Sequence, residues 1–310
     1  LRMFAAGVSM DNSTHCTVAG CHLKCPVHRR IVPASVYWSD RFWTSNYMSG
    51  SYNEWKDTVI AHSSGQGIHD MGYSNRVTNC IIHDWAYAGN GSGAIQATSG
   101  ASYGQYANNT VYEGAGDGVK MYTASYLRIE RNDISRVGTL LSDDQACIWG
   151  GWRGPGGTVI MHNYLHDNCD TTDGDGVNVN ISAQYYRIHH NLVWNVVKGI
   201  RVDAVELNNE VYNNTVFNCA KSAFNLYCGE DITQDGGITV FINNIANGPI
   251  VFRGPKTPSQ HHNGYYPVDA NGWPTADSGA IDAGVVLPGI TDGYVGAAPD
   301  IGCFEVGTEG

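Results

Sequence analysis

Charge is what this sequence has least of. Asp, Glu, Lys and Arg make up 15% of the 310 residues, against about 25% in an ordinary soluble domain. Cations are the scarcer kind, 18 Lys and Arg against 29 Asp and Glu, for a net charge of −11. That balance excludes an electrostatic surface for nucleic acid or anionic membrane. No apolar run approaches the ~18 residues that would span a bilayer. No i, i+3, i+4 apolar stripe persists, and the helix formers Glu, Lys and Leu are thin, which excludes a helical bundle. No zinc-knuckle spacing is present: Cys16, Cys21 and Cys25 have no partnering pair, and His15 and His22 beside them are incidental. An initiator Met, a basic n-region and an apolar h-region are also missing at Leu1, which predicts a processed or trimmed product.

What is abundant points one way. There are 38 Gly, 26 Asn, 18 Tyr and 8 Trp, a mixture suited to strands joined by many turns. The length fits a single elongated domain or an α/β barrel. Nine cysteines and the sequons at Asn12, Asn90, Asn108, Asn180 and Asn213 predict an oxidising, secretory history and an extracellular glycoprotein. The odd cysteine count leaves at least one thiol free or paired outside the chain.

Self-comparison carries the fold. The phrase Asn-x-[Ile/Leu/Val] begins at Asn79, Asn109, Asn132, Asn163, Asn191, Asn214 and Asn243, with Asp57-Thr58-Val59 one step earlier. The steps are 22, 30, 23, 31, 28, 23 and 29 residues. A constant phrase at variable steps predicts a solenoid whose coils carry loops of different length. Each coil holds a second short strand headed by a small residue: Gly67-Ile68-His69, Ala94-Ile95-Gln96, Gly118-Val119-Lys120, Cys147-Ile148-Trp149, Gly176-Val177-Asn178, Gly199-Ile200-Arg201 and Ala223-Phe224-Asn225. The middle apolar residue points inward and its neighbours outward. The prediction is all-β: a right-handed parallel β-helix of eight or nine coils, the repeated Asn forming an internal ladder. Coils are expected over 1–254, with 1–54 an irregular, loop-rich first part, and 255–310 as a Pro/Gly-rich covering segment.

With those phrases in hand, the chain resembles the secreted right-handed β-helix repeat proteins of the pectate-lyase-like superfamily. The resemblance rests on Asn75 to Asp84, His189 to Asn195, Val211 to Val216 and the terminal Pro299-Asp300-Ile301-Gly302-Cys303-Phe304-Glu305. It covers roughly residues 55–305. It implies the fold and, among several functions of that superfamily, polysaccharide lyases, glycoside hydrolases, epimerases and adhesins.

Stacking the second strands puts their outward residues in columns ~4.8 Å apart. One column reads His69, Gln96, Lys120, Trp149, Asn178, Arg201, Asn225, and another holds Tyr122, Asn180, Asp203 and Tyr227, beside a strip of small residues. Aromatic rings, amides and cations along a shallow groove suit a carbohydrate chain, with Tyr122, Trp149, Asn178, Asp203 and Tyr227 as binding residues and Trp149 at the centre. Lys120 and Arg201 suit a lyase, one as base and one neutralising a uronate, although three coils separate them. Asp117 and Asp175, two coils apart, suit the pair of an inverting glycosidase. Asp170 and Asp173 in an acidic loop predict a Ca²⁺ site, and calcium is what several lyases of the superfamily use. His83, His162, His166, His189 and His190 read as repeat positions rather than a metal triad. Cys219 and Cys228 are expected to close a short loop, with Cys147 and Cys169 as a second disulfide.

Two functions follow. One is a secreted lyase or hydrolase whose partner is a polysaccharide, with no nucleic acid and no membrane span. The other is a non-enzymatic extracellular protein, an adhesin or filament protomer, self-associating head to tail through an uncapped N-terminal coil.

Overall fold

A computed structural model describes residues 7–24, 46–87, 91–140, 145–151, 156–180, 183–203, 208–227, 238–254 and 258–308. Among these residues the regular elements are all β-strands, most of them three to six residues long. They are short because residues in the left-handed region end them. Between one strand and the next, Asp57, Asn79, Asn108, Arg131, His162, His190, Asn213 and Asn243 all have φ between 49° and 57°. Asn, Asp and His tolerate that conformation best, and they fill most of these positions.

The strands pair only with their equivalents in the preceding and following coils, in parallel register. The result is two ten-stranded sheets and one nine-stranded sheet. The first sheet includes Ile68–Asp70, Ile95–Ala97, Val119–Tyr122, Ala146–Gly151, Asp175–Val179, Lys198–Val202 and Ser222–Tyr227. The second runs from Thr17–Ala19 to Ser259–His261, and the third from His22–Lys24 to Ile245–Asn247. Among the described residues the chain therefore makes nine complete coils and two strands of a tenth. The second sheet is the strand of each coil that the two-phrase repeat had not separated from its neighbour.

Each sheet sends an apolar column inward, and the first sends a second through Ala97, Met121, Val179, Val202 and Leu226. Ile68, Ile95, Val119, Ile148, Val177, Ile200 and Phe224 are fully buried in the first. Val77, Tyr106, Ile129, Ile160, Ile188, Val211 and Phe241 fill the second, and Ile82, Val111, Ile134, Leu165, Val193 and Val216 the third. The small residues heading the first-sheet strands belong to this interior and do not edge a surface groove. A Cβ on Gly67, Gly118, Gly176 or Gly199 would collide with Ile82, Ile134, Val193 or Val216 of the third sheet. Close approach of two sheets at a corner thus sets residue size there.

The ladder of amides is present, one residue out of the expected frame at its ends. Ile81 pairs with Thr110 and Thr215 with Ile245, so the phrases at Asp57, Asn79 and Asn243 each start one position early. The ladder runs Asn109, Asn132, Asn163, Asn191, Asn214, Asn244, Asn263. Each Nδ2 donates to the next Oδ1 at 2.8–3.0 Å. Each backbone N–H donates to the same oxygen. Cys80 takes the position before Asn109, and its N–H still donates to the Asn109 Oδ1.

One carboxylate lies inside the solenoid. Asp70 is fully buried and accepts from Gly72 N–H, Asn75 Nδ2 and the Tyr106 hydroxyl at 2.8–2.9 Å. Burial outweighs those donors and raises its pKa above the usual carboxylate range.

Ser9–Met10, Thr17–Ala19 and His22–Lys24 form a first coil within the stretch expected to be irregular, Val18 in register with Trp55 and His22 with Val59. Whether its edge is covered turns on residues 1–6 and 25–45, outside the described residues. At the other end, Ser259–His261 still pairs with Val240–Ile242, so the coils run past 254. Residues beyond them turn back along the flank: Asn213 donates to the carbonyls of Asp300 and Gly302, Cys303 N–H donates to Thr215, and Trp273 stacks on Phe304.

Candidate functional site

The outward face of the first sheet carries the polar column in the expected order. Tyr47, His69, Gln96, Lys120, Trp149, Asn178, Arg201, Asn225 and Val251 are successive register partners. Its first part is roofed over. His69, Gln96, Lys120, Trp149 and Asn178 are all buried, and the column becomes accessible at Arg201 and Asn225. Part of the roof is the loop before Ile95: Gly91 accepts from Lys120 Nζ at 2.5 Å, and Gly93 N–H donates to Gln96 Oε1. His69 contacts the Thr98 hydroxyl at 2.8 Å, and burial pushes its pKa down to about 4.

Trp149 is not the open platform expected at the centre. Its side chain is 8% exposed, with the Tyr122 ring stacked at 6.1 Å and the Lys120 ammonium 5.3 Å from its ring centroid. Tyr122 and Tyr227, half-buried at the strand ends, are the rings presented outward.

Two charged groups occupy this face. In the first, Lys120 Nζ lies 3.0 Å from Asp117, whose other oxygen accepts from Ala146 N–H. The second gathers three carboxylates, Asp173, Asp175 and Asp203, around three cations, Lys198, Arg201 and Arg253. Arg201 reaches Asp173 at 2.9 Å and Asp175 at 3.3 Å, and its Nε donates to Asp203. Lys198 binds Asp173, and Arg253 binds Asp203. Burial alone would raise the Asp173 pKa, but Lys198 and Arg201 reverse the sign and hold it below the usual range. The sequence reading missed Lys198 and Arg253. Lys198 is in register with Asp175, but inward parity with Ile200 gave no signal for its use outside. Arg253 lies on the tenth strand, in register with Tyr227.

Asp117 and Asp175 are in one column with Ala146 between them, two coils apart as expected. Their exposures are 1% and 0%, and each is paired with a cation, so neither is presented to the groove as a glycosidase acid or base. Lys120 and Arg201 are three coils apart and meet different carboxylates. At the expected calcium pair, one Asp170 oxygen accepts from Thr172 N–H, the Thr172 hydroxyl and Asp173 N–H, and the other is buried without a hydrogen-bond partner. Asp173 faces two cations, which a calcium ion would have to displace.

Other expectations are corrected by burial. Cys147 is fully buried at the first-to-third sheet corner while Cys169 is exposed, and both are free thiols. Cys219 is also free here, and its proposed partner Cys228 lies outside the described residues. Asn213 is buried with its Nδ2 donated to the C-terminal segment, so the folded chain has no room for a glycan there. Asn12 and Asn108 are exposed, Asn180 is half-buried, and Asn90 lies outside the described residues.

The histidines do not all stay apart. Ring nitrogens of His162, His189 and His190 lie within 4.8 Å of one another at the corner between the second and third sheets. Burial pushes His189 down to about 2, with His190 adding to it, and His190 down to about 3, with His162 adding to it. His162 is lowered by burial and then by Arg131. His166 sits elsewhere, between Asp133 and Asp167 at 3.0 and 2.8 Å, and His83 stacks on Tyr112.

A three-sheet parallel coil with an internal amide ladder and a charged outer face defines a right-handed parallel β-helix. The profile of the family described as right handed beta helix region matches residues 6–142 and 108–257. The chain belongs to that family. A comparison with curated proteins finds no sequence match. Among solved structures, the pectate lyase Pel9A is similar with a TM-score of 0.59 and 18% identity, over 84% of this chain and 72% of that one. XylC in complex with xylose aligns at 0.46 and 17% identity, over 68% of this chain and 38% of that one. No helix among the described residues is long and apolar enough to cross a membrane.

Proposed function

We propose that this chain is an extracellular carbohydrate-active β-helix that binds a uronate-bearing polysaccharide along the open end of the first sheet, and that it acts as a lyase. One observation carries the reading: Arg201, held by Asp173, Asp175 and Asp203 beside Lys198 and Arg253, with Tyr227 on the next coil and Arg253 after it. A sugar carboxylate would exchange with one of the three acids that hold Arg201, at a guanidinium whose position is already fixed, and a neighbouring ring gives a sugar face its apolar platform. β-Elimination moves the C5 proton to a base, the role we give Lys198, which shares Asp173 with Arg201, forms the C4–C5 double bond and expels the O4 fragment. A cation on the carboxylate stabilises the charge that develops. Hydrolysis is disfavoured because Asp117 and Asp175 are sealed beneath the surface in ion pairs. Pel9A, whose fold this chain shares, is named as a pectate lyase.

The test is a panel of acidic and neutral polysaccharides, followed by ultraviolet absorbance of unsaturated ends and by binding titration. Arg201→Gln is expected to abolish product formation, and Tyr227→Ala to weaken binding by roughly 1–3 kcal/mol, the scale of a lost aromatic contact. Cleavage confined to neutral glycans, or an Arg201→Gln variant as active as the parent, overturns the reading. A filament-forming role draws on a different feature, the exposed Ser259–His261 strand at one edge of the second sheet. Filaments seen by light scattering, together with no glycan bound, would favour it instead.

A further inference from the structure

We infer that His162, His189 and His190 form a binding site for a divalent transition metal of the zinc class, at the corner between the second and third sheets. The three rings come together through the coil repeat. His162 and His190 occupy the same left-handed turn position in successive coils, and His189 ends the Arg187–His189 strand just before that turn. His162 N–H donates to the His189 carbonyl, which fixes the two coils' register, and the His162 and His190 rings stack with centroids 4.9 Å apart.

The Nδ1 atoms of His189 and His190 are 2.9 Å apart, and one ligand nitrogen from each of the three residues falls within 4.8 Å of the others. Imidazole nitrogens on one tetrahedral zinc are about 3.3 Å apart, given Zn–N distances of about 2.0–2.1 Å. Small ring rotations therefore bring the set onto a common ion. Imidazole suits Zn²⁺, Cu²⁺, Ni²⁺ and Fe²⁺ rather than Ca²⁺ or Mg²⁺. The 2.9 Å contact between the two Nδ1 atoms places one proton between them, which has to move to a distal ring nitrogen before both can bind one ion.

The surroundings leave a further position open. His162 and His190 line a cavity of about 460 Å³ whose opposite wall is the C-terminal segment, with Asp292, Asp300 and Glu305 on it. That wall supplies negative charge toward the ion. On the solenoid side Arg128 and Arg131 oppose it, and both are engaged by Glu130, at 2.8 and 3.6 Å. Arg187 lies on the strand of His189. The site shares no residue with the first-sheet groove and does not depend on the lyase reading.

The experiment uses the full chain without a histidine tag. After dialysis against Zn²⁺ and then metal-free buffer, elemental analysis should find one equivalent bound. Co²⁺ should give the visible absorption of a low-coordinate site. His162 is exposed, so His162→Ala should fold, with its near-ultraviolet circular dichroism unchanged. It should weaken binding at least ~100-fold, beyond the ~10–100-fold cost of losing an outer-shell partner. His166→Ala should leave binding unchanged. The pair His261 and His262 has the same 2.9 Å contact between Nδ1 atoms, with no third ligand beside it among the described residues, and it serves as the internal comparison. No retained equivalent, or binding that survives His162→Ala and disappears when His261 and His262 are replaced, overturns the assignment.

Discussion

Replacing Asn163 should cost more than any comparable surface change, because the amide ladder runs through a place water cannot reach. Asn163 is fully buried. Its Oδ1 accepts from the Asn132 N–H at 3.0 Å and from Asn132 Nδ2 at 2.9 Å, and its Nδ2 donates to the Ile129 carbonyl and to Asn191 Oδ1, both at 2.9 Å. Asn163→Ala strips the acceptor from two donors of Asn132, and each buried unsatisfied group costs about 1–3 kcal/mol. The expected loss is therefore about 2–6 kcal/mol, a large part of the ~5–15 kcal/mol that holds a typical domain folded. Asn163→Asp keeps the volume, removes both donors and sets oxygen against Asn191 Oδ1, so it should be at least as damaging. Asn263 ends the ladder and is only part-buried, so water can replace it and Asn263→Ala should cost about 0.5–1.5 kcal/mol. Urea unfolding with a shared m-value measures the differences. Equal midpoints for Asn163→Ala and Asn263→Ala would falsify the idea that burial of the ladder, rather than its mere presence, stabilises the stack.

Gly199→Ala puts a methyl 2.2 Å from Val216 Cγ1 and 2.4 Å from the Ala223 carbonyl oxygen. It should lose about 1–3 kcal/mol by overpacking. Gly248→Ala, whose nearest contact would be 3.4 Å, is the control, and similar melting temperatures for the two would refute the corner argument. Asp70 carries a pH signature. Its folded pKa is raised, so its contribution to stability is fully present below the unfolded value near ~3.9 and is lost as pH rises through the folded pKa. Relative to Asp70→Asn, the parent should therefore become progressively less stable from about pH 4 upward. A stability difference that does not change with pH would contradict the raised pKa.

The sequence by itself determined the coil. Strand alternation sorts Ile68, Ile95 and Val119 from His69, Gln96 and Lys120, and the parallel register then stacks like on like, so the outward column of the first sheet could be written down in order. Alternation has a period of two, and a slip of one residue leaves the phrases at Asn79 and Asn243 plausible in sequence. Only hydrogen-bonded pairing starts the ladder at Asn109, with Cys80 before it, and carries it through Asn244 to Asn263. Nor does one coil's sequence state how near the next sheet lies. The small residues read as the edge of a groove are small because Ile82, Ile134, Val193 and Val216 press on them from inside. Packing of loops and the C-terminal segment decided the rest. It sealed Trp149 and Asp117, buried the Asn213 amide, and drew Lys198 and Arg253 to Asp173 and Asp203. The coil repeat brought His162, His189 and His190 into one cluster. Those outcomes depend on loop length and on contacts between residues up to 89 positions apart, and no local pattern records such contacts.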